Sequence, residues 1–324
     1  MAILKLKPAC KDYLWGGRRL VAEFGIDCDK NILAEAWLLS CHGDGASTIQ
    51  GGEFDGKTLA EYLKLNGAEI LGDNCRDFDD FPILIKFIDA HENLSVQVHP
   101  NDDYALAHEG QHGKSEMWYV LDADEGALLY CGFKKKISRD EFLARIKNNS
   151  LLEVLNAVPA RKGDVLFIPA GTVHAVGKGV LLVEVQKNSN VTYRIFDYGR
   201  SRKLHIAQAL DVANLTPPDV HDNHYPHVAA CDCFVVDRLT LDGKFLSEAR
   251  GVVDEKTFLS VLIIGGEGFL TCGDEEIFCR RGDSFFLTAG AGDWTIRGSC
   301  DALLTTVPNC NAQRFNSSLL IPNS

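Results

Sequence analysis

The sequence predicts a mainly-β protein built from two β-barrel domains, with a small helical insertion in the first of them. Three observations support this fold class. Most apolar segments are short, rich in β-branched and aromatic residues, and bounded by turn-forming residues. A twelve-residue segment recurs in the C-terminal third, which indicates a duplicated barrel. A length of 324 residues also suits two domains, each with an ample core.

Strand-like segments dominate the first hundred residues. They comprise an N-terminal strand at 2–7, two apolar strands at 33–40 and 81–90, and a strand at 95–99. Between them, the apolar residues of segment 58–66 recur with helical periodicity. The first part of the chain is therefore expected to form a sheet with one short covering helix.

The next segment combines two strands with two helices. Residues 101–109 predict a short capped helix, and residues 117–121 and 127–133 predict a β-hairpin around an acidic turn. Ser138 begins a helical insertion near 138–156, whose helical period continues to Leu155 before the chain returns to the sheet.

The segment that follows the first barrel sets the expected domain boundary. A helix is predicted at 205–212, and a Pro- and His-rich linker follows at 215–227. We therefore predict a first domain over residues 1–222 and a second over residues 223–324.

The internal repeat relates the two domains. Segment 163–174 aligns without a gap to segment 282–293, and Asp293 occupies the position of His174. Upstream, the alignment places Val261 where the first copy has Glu116. The second domain is therefore predicted to keep the strand and turn pattern without the metal ligands, as a structural or interface domain.

Composition and charge exclude several classes of partner. The net charge of −12 argues against nucleic acid or an anionic membrane surface. The N-terminus lacks an apolar secretory segment, and no run approaches the ~20 apolar residues of a membrane helix. The eleven cysteines are scattered without a Cys-x-x-Cys motif, so we predict reduced thiols and a cytoplasmic location.

Four side chains form a candidate metal site. Gln97 and His99 are two apart on one predicted strand and share a face, Glu116 lies on another strand, and a Pro-Ala-Gly turn precedes His174. If they converge inside a barrel, nitrogen and oxygen donors without a thiolate suit Zn, Fe, Mn or Co.

A second group of metal-type residues lies in the predicted linker. It comprises His221, His224, His227, Cys231 and Cys233. No predicted strand or helix sets the geometry of these side chains, so we do not expect them to form a metal site.

Charged residues inside apolar runs provide further candidates. Lys86 and Arg194 each interrupt a strand-like run, where an unpaired buried charge is costly. Lys86 therefore either reaches solvent from a strand end or faces an anion-binding pocket, and Arg194 is either catalytic or part of a buried salt bridge. Lys114 shares a face with Glu116, which places a cation beside the predicted metal. Glu35 is either a lone charge in a core strand or a pocket residue.

Four motifs in one order resemble the type I mannose-6-phosphate isomerases, in their shorter bacterial form. This family belongs to the cupin superfamily of jelly-roll-like barrels. The motifs are SVQVHPND (95–102), GKSEMWY (113–119), IPAGTVHA (168–175) and YRIFDYGR (193–200). The resemblance implies two cupin/jelly-roll β-barrel domains and a metal-dependent aldose-ketose isomerase that interconverts mannose 6-phosphate and fructose 6-phosphate.

The resemblance also implies the roles of individual residues. One Zn²⁺ per chain is expected, held by Gln97, His99, Glu116 and His174. The implied catalytic residues are Arg194 and Lys114, and the implied substrate contacts are Lys86 and Ser95. The expected partner is a small-molecule phosphosugar, and the chain is expected to be a monomer or a homodimer.

The chemistry requires ring opening, proton transfer between C1 and C2 through an enediol, and stabilisation of negative charge. A metal can supply the last of these, and a permanently charged arginine such as Arg194 adds electrostatic stabilisation. For the carbon base, Lys114, an unliganded carboxylate and a metal-bound hydroxide remain open. The phosphate requires Lys86, Arg200 or Arg202.

Two other function classes remain open. A metal cupin oxygenase would favour three histidines with a glutamate and a cation-poor pocket, against which Gln97, Arg194 and Lys86 argue. A non-catalytic sugar-phosphate-binding cupin is disfavoured because every expected ligand and the arginine are present.

Overall fold

The computed structural model describes residues 3–218 and 227–309 and is mainly β, as predicted. Its strands are β1 (Ile3–Lys7), β2 (Ala9–Lys11), β3 (Glu35–Leu39), β4 (Thr48–Ile49), β5 (Ile83–Ala90), β6 (Val96–Val98), β7 (Glu116–Ala123), β8 (Leu128–Phe133), β9 (Leu155–Pro159), β10 (Val165–Ile168), β11 (His174–Val176), β12 (Val180–Lys187), β13 (Tyr193–Phe196), β14 (Ala229–Ala230), β15 (Val235–Asp242), β16 (Glu248–Val253), β17 (Leu259–Cys272), β18 (Glu275–Arg280), β19 (Ser284–Leu287) and β20 (Gly292–Thr306). Its α-helices are α1 (Arg19–Phe24), α2 (Leu59–Asn66), α3 (Asp102–Glu109), α4 (Arg139–Lys147) and α5 (Ile206–Val212). Within the described residues, no helix is long and apolar enough to cross a membrane.

Two antiparallel sheets form the N-terminal cupin-like barrel. The six-stranded sheet has the order β10-β7-β12-β5-β3-β2, and the five-stranded sheet has the order β13-β6-β11-β8-β9. Buried side chains from both sheets, including Trp118 of β7 and Leu129 of β8, pack together in one core. Strands of the two sheets can therefore direct side chains into a common interior.

Strand alternation decides which charged side chains enter this interior. On β5, Phe87 packs in the core shared with the C-terminal domain, whereas Ile88 packs inside the barrel. Lys86 lies two residues from Ile88 and therefore also faces the barrel interior. Glu184 of β12 faces the same way, because Leu182, two residues before it, belongs to the barrel core. Lys86 is 8% exposed in the middle of its strand, so it does not reach solvent from a strand end.

The helical insertion covers the outer face of the five-stranded sheet. The Ser138 side chain accepts a hydrogen bond from the Glu141 backbone N–H at 3.1 Å, which begins α4. Phe142 then packs against strands of that sheet. The predicted continuation of the helix to Leu155 is wrong, because α4 ends at Lys147 and Leu155 begins β9.

The hairpin predicted from 117–121 and 127–133 is also wrong. Strand β7 pairs with β10 and β12, and β8 pairs with β9 and β11, so the two strands lie in opposite sheets. The turn between them carries the chain across the barrel. Local composition predicts both strands but contains no information about which sheet each one joins.

The C-terminal barrel is built around two long strands. Strand β17 has 14 residues and β20 has 15, and they pair along most of their length in a nine-stranded sheet. The N-terminal strand β1 joins this sheet, since Ile3 lies opposite Leu287 of β19. The boundary between residues 222 and 223 lies outside the described residues and stays a prediction.

The internal repeat has the same local structure in both copies. The Arg161 backbone N–H donates to Asp164 at 2.8 Å, and the Arg280 backbone N–H donates to Asp283 at 3.1 Å. Each bond closes the turn that precedes the repeated strand, which is β10 in the first copy and β19 in the second.

Strand register corrects one position of the repeat alignment. Ile168 pairs with Glu116, and its equivalent, Leu287, pairs with Leu259. The residue equivalent to Glu116 is therefore Leu259 instead of Val261. The two positions differ by two residues and share a face, so an apolar side chain still replaces the acidic ligand.

Candidate active site

Three predicted metal ligands meet inside the N-terminal barrel. Ligand atoms of His99, Glu116 and His174 all lie within 4.8 Å of one another. The His99 Nε2 atom is 3.4 Å from Glu116 Oε2, and the His174 Nε2 atom is 3.4 Å from Glu116 Oε1. His99 follows β6, Glu116 begins β7 and His174 begins β11, so the group spans both sheets.

Backbone carbonyls orient the two histidines. The His99 Nδ1 atom donates to the Val191 carbonyl and the His174 Nδ1 atom donates to the Thr172 carbonyl, each at 2.8 Å. A carbonyl only accepts, so each Nδ1 carries the proton and each Nε2 presents its lone pair to Glu116. Burial lowers the pKa of His99 to about 4 and also lowers that of His174, which favours the neutral, ligating form.

The residues fit a metal ion. The Glu116 Oε1 atom is buried without a hydrogen-bond partner among the described residues, which is unusual for a carboxylate oxygen. The Gln97 amide lies 3.3 Å from His174 Nε2, and rotating the amide by 180° exchanges its oxygen and nitrogen. The structure therefore brings all four predicted ligands together, with donors that suit zinc.

A buried chain of alternating charges adjoins the ligands. The Lys114 ammonium contacts Glu116 and lies 3.2 Å from Glu184 Oε1. The Lys86 Nζ atom lies 2.9 Å from the same Glu184 oxygen and 3.4 Å from Glu35 Oε2. Three carboxylates and two ammonium groups thus share one interior, which leaves a net charge of −1 for a cation to offset.

Oppositely charged neighbours keep Glu116, Glu184 and Lys86 ionised despite their burial. Burial opposes the charge of Glu116, but the adjacent Lys114 ammonium holds its pKa well below the usual value. Burial and Glu116 oppose the charge of Glu184, and the two lysines lower its pKa. Burial also opposes the charge of Lys86, but Glu184 and Glu35 raise its pKa.

Glu184 is a site residue that was not predicted from the sequence. It lies directly opposite Lys86 across the β5–β12 ladder, and the Trp118 indole donates to its second oxygen at 3.0 Å. The signal was present, because Glu184 interrupts the apolar run 180–185 just as Lys86 interrupts its own. Glu35 is a pocket residue, and the Trp37 indole donates to it at 2.7 Å.

A cavity of about 280 Å³ opens beside the ligands. Ser95 lines it and is 3% exposed. The polar side chains that line it belong to Tyr13, Glu35, Lys86, Ser95, Gln97, Lys114, Glu184, Asn190, Thr192, Arg194, Arg202 and His205. The cavity therefore offers hydrogen-bonding groups and positive charges to a polar ligand.

The predicted arginine lies beside the candidate metal ligands on the sheet. Arg194 of β13 pairs with Gln97 of β6, which in turn pairs with His174 of β11. The Arg194 guanidinium donates to the Lys203 carbonyl at 3.1 Å, and its Nε atom is buried without a partner among the described residues. Among the described residues it makes no ion pair with a carboxylate, which argues against the buried salt-bridge alternative.

Asp197 forms ion pairs with Arg200 and Arg202, which are two of the candidate phosphate-binding residues. The Arg202 guanidinium donates to both Asp197 oxygens at 2.8 and 2.6 Å, and Arg200 donates to Oδ1 at 3.2 Å. Arg200 also donates to the Asn93 carbonyl at 2.9 Å, whereas Arg202 lines the cavity. Of these two arginines, Arg202 is therefore the one positioned to meet a ligand.

The linker cluster does not assemble as one site in the described residues. His221 and His224 lie outside them, and His227 bonds to Asp237 at 2.7 Å. The Cys231 and Cys233 sulfurs are 3.4 Å apart and, with Asp232, form a separate group that could hold a metal.

Comparison with known proteins agrees with this geometry. Residues 3–135 match the type I phosphomannose isomerase catalytic domain, and residues 226–307 match the mannose-6-phosphate isomerase cupin domain. The mannose-6-phosphate isomerase of Streptococcus mutans is 34% identical over 92% of this chain and 96% of its own length.

Two solved structures share the fold. The mannose 6-phosphate isomerase from Bacillus subtilis is 32% identical, with a TM-score of 0.85 over 94% of this chain and 99% of its own. A mannose 6-phosphate isomerase bound with zinc and yttrium is 18% identical, with a TM-score of 0.75 over 94% and 99% of the respective chains. The chain therefore belongs to the type I mannose-6-phosphate isomerase (phosphomannose isomerase) family.

Proposed function

We propose that this chain interconverts mannose 6-phosphate and fructose 6-phosphate in a metal-dependent reaction. The observation that carries the proposal is the buried group of His99, Glu116 and His174, whose ligand atoms face one another beside a polar cavity. The names of the full-length relatives support the same reaction. Four cationic side chains line the cavity, namely Lys86, Lys114, Arg194 and Arg202, which disfavours the oxygenase alternative.

We propose that one Zn²⁺ per chain is held by Gln97, His99, Glu116 and His174. The nitrogen and oxygen donors, the neutral histidines and the zinc-bound relative support this choice. When bound, zinc supplies Lewis-acid stabilisation of negative charge on substrate oxygens.

The proposed role of Arg194 is to stabilise the enediolate. Its guanidinium lines the cavity beside Gln97 and remains charged even though burial and Arg202 lower its pKa. The Lys203 carbonyl orients it, so little reorganisation is needed when negative charge develops. One such donor typically contributes on the order of 3 kcal/mol to the transition state.

Lys114 and Glu184 are the proposed groups for proton transfer. Their side chains are 3.2 Å apart, both line the cavity, and neither belongs to the proposed ligand set. The ionised Glu184 carboxylate can accept a proton from a substrate carbon, while the Lys114 ammonium can donate one to an adjacent oxygen. Of the three candidate carbon bases, we therefore propose the unliganded carboxylate and assign it to Glu184.

We propose Lys86 and Ser95 as substrate contacts. Both line the cavity, but two carboxylates already balance the Lys86 charge. Lys86 is therefore better suited to donate a hydrogen bond to a sugar hydroxyl than to neutralise the phosphate. The cytoplasmic location, the domain boundary and the choice between monomer and homodimer stay predictions.

A coupled assay tests the proposed function. Purified protein should convert mannose 6-phosphate to fructose 6-phosphate, lose this activity on chelation and regain it with about one Zn²⁺ per chain. Ser138→Ala, which alters a cap on the outer helix α4, is the control and should keep the activity. Substrate binding without turnover in the zinc-loaded protein would favour the sugar-phosphate-binding alternative.

A further inference from the structure

His205 holds Arg194 by two hydrogen bonds. The Arg194 backbone N–H donates to His205 Nδ1 at 3.2 Å, and the His205 backbone N–H donates to the Arg194 carbonyl at 2.7 Å. The Lys203 carbonyl accepts from the Arg194 guanidinium at 3.1 Å. Segment 203–205 therefore contacts Arg194 at both its backbone and its side chain.

These bonds determine the tautomer of His205. Nδ1 accepts a hydrogen bond, so the ring proton of the neutral imidazole is on Nε2. Burial and the positive charges of Arg194 and Lys203 lower the pKa of His205, which favours this neutral form. His205 lines the cavity, and Nε2 has no hydrogen-bond partner among residues 3–218 and 227–309. Its N–H is therefore available to a ligand.

The charge around His205 favours an anionic ligand. Segment 194–203 carries four cations, Arg194, Arg200, Arg202 and Lys203, and one carboxylate, Asp197. The segment has a net charge of +3, which becomes +2 when Glu109, a further carboxylate that acts on His205, is included; the whole chain carries −12. The other charged side chains that line the cavity are Glu35, Glu184, Lys86 and Lys114. Their two negative and two positive charges cancel, so they offer an anion no net attraction.

We propose that His205 has two separable roles: its Nδ1 atom positions Arg194, and its Nε2–H donates a hydrogen bond to the phosphate of the substrate. Arg202 lines the same part of the cavity and supplies the neighbouring positive charge. The second role rests on the proposed function, because it takes the phosphate to be that of mannose 6-phosphate. The first role rests on hydrogen bonds within the chain.

Two amide substitutions separate the roles. In His205→Asn the side-chain oxygen can replace Nδ1, but no donor reaches the Nε2 position. In His205→Gln the longer amide can place a donor near Nε2, but the Nδ1 acceptor is lost. The exposed His91 offers a matched control as His91→Asn. All variants are compared as zinc-loaded full chains, with inorganic phosphate as a competitive inhibitor.

The two roles predict opposite kinetic effects. His205→Asn should raise KM and the inhibition constant of phosphate about tenfold, with kcat within about twofold, because a hydrogen bond to a charged group is lost. His205→Gln should lower kcat about tenfold and leave the phosphate constant within about threefold. His91→Asn should match the wild type.

Each role has its own refuting result. Phosphate inhibition that is unchanged in His205→Asn, or absent in the wild type, excludes the anion contact. An unchanged kcat in His205→Gln excludes the positioning role. If the wild type has no isomerase activity, the proposed function fails, and calorimetric titration with phosphate still decides whether Nε2–H contacts an anion.

Discussion

Replacing Glu184 with glutamine removes one charge from the buried network while nearly preserving its shape. Glu184 Oε1 lies 2.9 Å from Lys86 Nζ and 3.2 Å from Lys114 Nζ, and the three side chains are no more than 10% exposed. The wild type balances two ammonium groups with Glu35, Glu116 and Glu184. In the Glu184→Gln variant only two carboxylates remain, and one of them is a proposed metal ligand.

The loss of stability in the Glu184→Gln variant follows from the burial of the ion pairs. Breaking a buried ion pair typically costs about 3–5 kcal/mol, because the remaining charge stays desolvated. In the variant, Lys86 still pairs with Glu35 at 3.4 Å, and the oxygen of the new side-chain amide can still accept one hydrogen bond. We therefore expect a loss of stability at the lower end of this range, about 3 kcal/mol. At roughly 2 °C per kcal/mol for a chain of this size, Tm should fall by roughly 6 °C. Because Glu184 is also the proposed base, kcat should fall by at least about 100-fold.

Glu92→Gln is the matched control. Glu92 pairs with Lys178 at the same 2.9 Å, but the two side chains are 46% and 56% exposed. Exposed pairs contribute about 0–1 kcal/mol, so its Tm should change by less than about 2 °C. Scanning calorimetry of both zinc-loaded variants measures the difference. Equal shifts in the two variants would refute the reasoning that burial makes the Glu184 charge necessary for stability.

The remaining predictions concern the ligands and the arginine. In metal-free protein, the His99 pKa of about 4 lies below its usual value of about 6.5, so the unfolded state binds more protons between these values. The free energy of unfolding should therefore fall by up to ~1.4 kcal/mol per pH unit from pH 6.5 to 4, and a flat urea-denaturation profile would contradict this. Glu116→Gln should reduce zinc content by at least about tenfold, measured by atomic absorption; stoichiometric zinc would remove Glu116 from the ligand set. Arg194→Lys should lower kcat about 100-fold with KM nearly unchanged, and a purely KM effect in steady-state kinetics would contradict the enediolate role.

The sequence determined features that depend on neighbouring residues. Strand alternation predicted that Gln97 and His99 share a face. Ser138 marked the start of α4, because a capping side chain bonds to a backbone N–H only three residues further along the chain. The cost of burying a charge singled out Lys86. The family resemblance indicated which four residues act together as metal ligands, and strand periodicity alone does not provide this information.

Only the tertiary structure decided which distant side chains meet. Glu184 becomes the centre of the charge network because β12 pairs with β5, and His205 reaches Arg194 because α5 begins beside β13. The turn between β7 and β8 crosses between sheets, and β1 joins the C-terminal barrel. Strand pairing is set by long-range burial and backbone hydrogen bonding, and neither is encoded in the composition of a single segment.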